Sequence, residues 1–152
     1  MATTKSTTAA KGADTQNFTA EEREAMKDRA NEARAARKRT GDEDPEPEVL
    51  AKIATFNDED RALAEKVHAI VKASAPDFAP RLWYGMPAYG RGGKATVFFK
   101  PAGKFKQRYC ELGFNGDAAL DDGGMWPTVY ALTTPTAADE QRIAELVKRA
   151  AG

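Results

Sequence analysis

The stretch at residues 95–114, "ATVFFKPAGKFKQRYCELGF", decides the fold class of this chain. Its outer parts, residues 95–100 and 108–114, are rich in β-branched and aromatic residues, and a short segment with Pro and Gly joins them. This pattern predicts two strands joined by a loop, and residues 129–132 form a third run of the same type. Helical patterns precede and follow these strands. The order of helices, clustered strands and a closing helix predicts an α+β fold with an antiparallel sheet.

The helical segments carry recognisable start signals. Thr19 and Glu22 form a capping-box signature before a charged helix that runs to residue 39. The apolar face of this helix is mostly alanine, so we expect it to bury little surface and either to dock weakly or to project. Asn57 and Thr136 are predicted caps of two later helices, each with an apolar stripe that faces a core.

Large apolar residues are sparse in the first third of the chain, so the core must be built from about residue 46 onward. We therefore predict four parts. These are a disordered leader at residues 1–17, a charged helix at 18–39, an acidic, proline-broken linker at 40–47 and a folded α+β domain at 48–152.

The overall composition limits the kinds of partner and the compartment. The chain has 23 basic and 23 acidic residues, and this zero net charge gives no global field that attracts nucleic acid or membranes. Cys110 is the only cysteine, which rules out an intrachain disulfide and fits a reducing cytosol. No apolar run approaches the length of a membrane span. We expect a cytoplasmic protein with no membrane partner.

No catalytic constellation can be read from the spacing of residues. Residues 90–95, "GRGGKA", match a loose dinucleotide-binding pattern, but a strand follows them rather than a helix, so a hairpin or bulged turn is favoured. His68 is the only histidine, and we interpret it as a packing or surface residue rather than a zinc ligand. Cys110 alternates with Leu112 on a strand, which indicates that Cys110 is a buried, unreactive core residue rather than a nucleophile. An enzyme therefore has the least support.

Three aspartates offer hard oxygen ligands. Asp117, Asp121 and Asp122 lie in the segment "NGDAALDDGG", whose donors suit Ca²⁺, Mg²⁺ or Fe. The spacing does not match an EF-hand loop. A metal site and simple loop capping by Asp are both open interpretations.

The charges of the strand region are segregated along the chain. Between Asp77 and Glu111 there are seven basic residues and no acidic one, whereas residues 111–141 contain six acidic residues and no basic one. Two interpretations of this segregation are possible. In the first, the basic residues share one surface with aromatic rings, and such a surface suits an anionic or planar ligand. In the second, basic and acidic strands neutralise each other across the sheet. Both stay open.

Several motifs together resemble the bacterial YdhG-like family of domains of unknown function. The matching segments are "WYGMPAY" at 83–89, "KFKQRYCELGF" at 104–114 and "LDDGGMWPTVYAL" at 120–132, and the resemblance covers about residues 18–150. It implies helices packed against a curved antiparallel sheet. Some members are described as frataxin-like iron chaperones, so the resemblance also implies iron as a cofactor or cargo.

These observations lead to a prediction of a non-catalytic binding protein for iron or a small ligand. We expect Trp83 and Met86 to pack inward and the hydroxyls of Tyr84 and Tyr89 to face a groove. The predicted ligand-binding residues are Tyr84, Met86, Tyr89, Lys104, Arg108 and Trp126. The alternative is binding of an anion or single-stranded nucleic acid through the basic aromatic segment 81–109, with an affinity that falls steeply with salt.

Overall fold

The computed structural model describes residues 18–38 and 44–152. Within these residues the chain has four helices and one five-stranded antiparallel sheet, so the predicted α+β class is confirmed. The predicted leader at 1–17, residue 39 of the predicted charged helix and residues 40–43 of the predicted linker lie outside the described residues. No helix in the described part of the chain is long and apolar enough to cross a membrane.

The elements follow one another in a simple order. The helices are α1 (Ala20–Lys38), α2 (Glu46–Ala54), α3 (Asp58–Ser74) and α4 (Ala137–Ala151). The strands are β1 (Ala79–Trp83), β2 (Met86–Gly90), β3 (Val97–Lys100), β4 (Cys110–Phe114) and β5 (Val129–Leu132). The spatial order of the strands is the same as their order along the chain, so each strand pairs with its sequence neighbour.

The predicted helix caps are confirmed. The Thr19 hydroxyl accepts a hydrogen bond from the Glu22 backbone N–H at 3.1 Å, and the Glu22 carboxylate accepts one from the Thr19 N–H at 3.1 Å. Asn57 caps α3, and Thr136 forms a second capping box at the start of α4. Each side-chain oxygen satisfies a backbone donor that has no partner within the helix.

Two strands were missed from the sequence, and the others were predicted to within two residues. β3 and β4 each begin two residues later than predicted, and β5 has the predicted bounds. β1 and β2, the two missed strands, each contain a proline, which usually argues against a paired strand. Pro80 lies on the edge strand β1. Pro87 lies beyond the part of β2 that pairs with β3, so its missing N–H removes no bond from that ladder.

One face of the sheet and three helices enclose the main core. The buried cluster runs from Val49 to Ala150, which confirms that the core is built from the region after residue 46. Its largest fully buried members are Tyr89, Phe99, Ile53 and Leu112. Burying side chains of this size contributes about 1.5–3 kcal/mol each, which makes this layer the main source of stability.

The opposite face of the sheet carries a smaller aromatic layer. The Trp83 and Phe98 rings lie 5.2 Å apart between centroids, and a Cβ at Gly113 would collide with the Phe98 ring. Met86 is buried, as predicted, but it lies outside the main core cluster. The prediction that Trp83 packs into the core is wrong, because the alternation of β1 directs this residue to the outer face, where it is only half-buried.

A polar chain ties β2 to the first two core helices. The Tyr89 hydroxyl lies 2.9 Å from His68 Nδ1, and His68 Nε2 lies 2.8 Å from Glu46 Oε1. Lys72 Nζ donates to both Glu46 oxygens at 2.6 Å, and this contact, followed by that from His68, lowers the pKa of Glu46. Tyr89 is 0% exposed, so the expectation that its hydroxyl faces a groove is wrong. The hydroxyl points into the core because a buried histidine supplies its partner.

We expect Tyr89→Phe to lower the free energy of unfolding by about 1–3 kcal/mol, because it leaves a buried ring nitrogen of His68 without its partner. Urea unfolding measures the change. Tyr130→Phe is the control, since the Tyr130 hydroxyl makes no hydrogen bond to any described residue. Equal unfolding free energies for the two variants would contradict the assignment.

Candidate functional site

The structure brings only some of the predicted ligand-binding residues to one place. The β1–β2 turn and the β3–β4 connection lie at the same end of the antiparallel sheet, so Tyr84, Lys104 and Arg108 share that end. Trp126 lies in the β4–β5 connection at the opposite end, and Tyr89 and Met86 are buried. The groove that was predicted to unite these residues is therefore not formed.

The β3–β4 loop, residues 101–109, presents cations against aromatic rings. Lys100 Nζ lies 5.0 Å from the centre of the Phe105 ring, and Lys104 Nζ lies 6.0 Å from it. The Arg108 guanidinium carbon lies 5.3 Å from the centre of the Tyr109 ring. Contacts of this kind stabilise an exposed cation by about 0.5–1 kcal/mol and leave its N–H groups free to meet an anion.

A buried carboxylate holds this loop in place. Asp60, at the start of α3, is only 6% exposed. Its Oδ2 accepts hydrogen bonds from the Gly103 N–H at 2.8 Å and from Asn57 Nδ2 at 3.1 Å, while its Oδ1 accepts one from the Cys110 thiol at 3.1 Å. Asp60 was not singled out from the sequence, where it is one of three acids at residues 58–60 that follow the cap Asn57. Only its contact with a loop 43 residues later distinguishes it.

Cys110 is buried, as predicted, and its chemistry follows from that burial. Burial raises the pKa of the Cys110 thiol from 9.0 to about 12, and the neighbouring Asp60 carboxylate adds to the effect. The protonated thiol is the form that donates to Asp60, so the native structure disfavours the reactive thiolate. Cys110 serves the loop as a donor rather than as a nucleophile.

We expect Cys110 in the folded protein to react with iodoacetamide at pH 8 about a thousandfold more slowly than in the unfolded chain. A pKa of about 12 leaves a thiolate fraction roughly a thousandfold below that of a thiol with a pKa near 9. Mass spectrometry of alkylated protein with and without urea measures both rates. Native and unfolded rates within tenfold of each other would contradict the assignment.

A cleft of about 400 Å³ opens beside the β3–β4 loop. Its lining includes Leu63, Lys66, Ala102, Arg108, Tyr109 and Thr133. Lys66 Nζ lies 2.8 Å from a Glu140 carboxylate oxygen. In the described part of the chain no carboxylate lies within ion-pair distance of Arg108 or Lys100. The cleft therefore combines an apolar wall, an aromatic ring and a cation without an ion-pair partner among the described residues, and Glu59 and Asp60 of α3 also line it.

Helix α1 covers the other side of the loop through its carboxylates. Lys106 Nζ lies 2.7 Å from Glu21 Oε1, and this contact lowers the pKa of Glu21 and raises that of Lys106. Lys104 donates a short hydrogen bond to Asp28. Glu21 and Asp28 are seven residues apart, which places them on one side of the helix. The sequence analysis expected this helix to dock weakly or to project, and it did not predict the two ion pairs with the β3–β4 loop.

The β1–β2 turn completes the contact with α1. The Tyr84 and Gly85 N–H groups donate to the two oxygens of Glu32 at 3.0 and 2.6 Å. The Arg29 guanidinium carbon lies 5.7 Å from the centre of the Tyr84 ring. Glu32 continues the stripe of Glu21 and Asp28, and this spacing of 7 and then 4 residues was the signal in the sequence that could have indicated a charged docking face.

The predicted metal residues lie at the opposite end of the sheet and do not form a cluster. Asp117 accepts a hydrogen bond from the Thr96 hydroxyl, which is a loop-capping role. Asp121 and Asp122 are exposed. Among residues 18–38 and 44–152, no group of three or more His, Cys, Asp or Glu side chains is placed to hold a metal ion. The metal site predicted from these aspartates therefore gains no ligand set from the described residues, and it stays a prediction.

Comparisons with protein-family models, with curated proteins and with solved structures find no match for this chain. The function therefore has to be argued from the geometry of the site.

Proposed function

We propose that this protein binds single-stranded nucleic acid through the β3–β4 loop and the cleft beside it. The observation that carries the proposal is the pairing of Lys100 and Arg108 with aromatic rings, without a carboxylate partner in the described part of the chain. Cations interleaved with rings are the features that bind a flexible polyanion whose bases are free to stack. The zero net charge of the chain does not oppose this, because a local charged surface suffices.

The two kinds of side chain have separate tasks in this proposal. Lys100 and Arg108 contact phosphate groups and release counterions, so they supply affinity that falls with salt. Tyr109 offers a ring to one base, and base stacking contributes about 1–3 kcal/mol with little dependence on sequence. The cleft of about 400 Å³ beside Arg108 has room for a single base or nucleotide.

A binding role, rather than a catalytic one, agrees with the state of the titratable groups at this site. Cys110 is protonated by virtue of its raised pKa, and Asp60 has its oxygens engaged by three donors. An iron-handling role, as the YdhG-like resemblance implies, would need ligands that the described carboxylates do not bring together. The family resemblance itself stays a prediction.

We expect Lys100→Gln and Arg108→Gln each to weaken binding of a fluorescent oligothymidylate about fivefold at about 0.1 M salt. Each should also reduce the slope of log affinity against log salt by about 0.7, because one phosphate contact is lost. Fluorescence anisotropy over a series of salt concentrations measures both quantities. Tyr109→Leu should weaken binding without changing the slope, since it removes stacking and no charge.

Lys148→Gln is the matched control, because it removes one exposed cation from α4, outside the loop. It should leave the affinity and the salt slope nearly unchanged. Equal effects of Lys148→Gln and Arg108→Gln would indicate nonspecific attraction and would contradict the site. Absence of measurable binding at low salt would contradict the proposed function itself.

A further inference from the structure

We propose that the β1–β2 turn, together with Lys104 and Lys52, forms a phosphate-type anion site that helix α1 occupies with its own carboxylates. The site adjoins the loop surface described above, and its connection with nucleic acid rests on the proposed function. The affinity of the site for an anion does not rest on the proposed function, because each donor of the site already contacts a carboxylate of α1. Helix α1 is then an internal competitor of any external anion that uses this end of the sheet.

The amide half of the site is built by the two-residue turn of the β1–β2 hairpin. Tyr84 and Gly85 both have left-handed backbone conformations, with φ values of 52° and 74°. This geometry directs two successive N–H groups toward one point, which is a known anion-binding arrangement. One oxygen of Glu32 meets each N–H, and the Glu32 side chain is only 9% exposed. The turn thus already holds a bidentate oxyanion.

Tyr84 is an energetically unfavourable residue for this turn, because its φ is positive. A non-glycine residue in the left-handed region costs about 1–2 kcal/mol, and glycine or asparagine is the usual occupant of such hairpin turns. The side chain is nevertheless exposed, and its ring meets Arg29 of α1 and the edge of Trp83. Backbone strain at an exposed aromatic residue, beside two N–H groups that donate to a side chain of α1, is typical of a binding position rather than of a stabilising turn.

Two ammonium groups form the cationic half. Lys104 donates to Asp28 and has a side chain only 12% exposed, while Lys52 Nζ lies 3.7 Å from the other Asp28 oxygen. Glycine at position 85 lets Lys104 Nζ and Asp28 Oδ2 approach the turn closely, because both atoms lie where a Cβ would be. Two cations and two amides therefore surround the two carboxylates of α1.

The attachment of α1 is of the kind that an external anion can replace. Ala25 is the only buried residue of this helix, so apolar burial contributes about 1 kcal/mol at most. The remaining contacts are ion pairs and hydrogen bonds. Lys106 is exposed, whereas Asp28, Lys104 and Glu32 are largely buried, and for buried ion pairs the cost of desolvation offsets much of the attraction. A phosphate group offers the same donors a higher charge and more acceptor oxygens than one carboxylate does.

The test is a titration of ¹⁵N-labelled protein with inorganic pyrophosphate, followed at the Tyr84 and Gly85 amide signals by NMR. We expect the Asp28→Ala, Glu32→Ala double variant to show a saturable shift of these signals at a pyrophosphate concentration about tenfold lower than wild type. A helix docked in about nine molecules of ten would weaken the apparent affinity of wild type by that factor. Adding Lys104→Gln to the double variant should abolish or strongly weaken the response.

Glu24→Ala is the control, because it removes a carboxylate from the same helix that forms no ion pair with any described residue. Its response should equal that of wild type. Signals of the core helices and strands, unchanged in every variant, establish that the fold is intact. The proposal is overturned if the double variant shows no saturable shift at these amides, or if all variants respond alike. Loss of oligonucleotide binding alone would overturn only the proposed function.

Discussion

The buried carboxylate of Asp60 is the interaction on which the binding surface depends. It accepts hydrogen bonds from α3's cap residue Asn57, from the β3–β4 loop at Gly103 and from β4 at Cys110. An unpaired buried charge costs several kcal/mol, so the loop cannot leave this carboxylate without a large loss of stability. The cations and rings of the loop therefore occupy fixed positions. The surface is preorganised, which lowers the entropy cost of binding.

Helix α1 stands in contrast to the loop, because its contacts are individually weak. It buries one alanine, and its carboxylates meet Lys106, Lys104 and the β1–β2 turn near the surface. Asp60 holds the loop from within the core, whereas α1 is held by polar contacts that, in our proposal, an external anion replaces. Salt should weaken the docking of α1 and the binding of a polyanion together, since both depend on attraction between opposite charges at the same end of the sheet.

The segregation of charge along the strand region is resolved in a way that neither sequence interpretation anticipated. Lys100 and Glu111 face each other across β3 and β4 but form no ion pair in the described part of the chain, so this strand pair does not show the mutual neutralisation. Lys104 and Lys106 are instead neutralised by α1, and Arg91 pairs with Asp77.

Local patterns predicted the capped helices and three strands, because caps and alternation act within a few residues. The Asp60 anchor and the role of Glu32 depend on contacts 43 and 52 or more residues away, which no local pattern encodes.

In our proposal α1 and an external polyanion compete for one end of the sheet. The most direct measurement is an NMR titration of the wild-type protein with oligothymidylate, in which the Gly85 amide and the loop amides are followed together. We expect the Gly85 signal to leave its Glu32-bonded position at the same half-saturating oligothymidylate concentration as the signals of residues 101–109. Saturation of the loop signals while Gly85 stays bonded to Glu32 would contradict it.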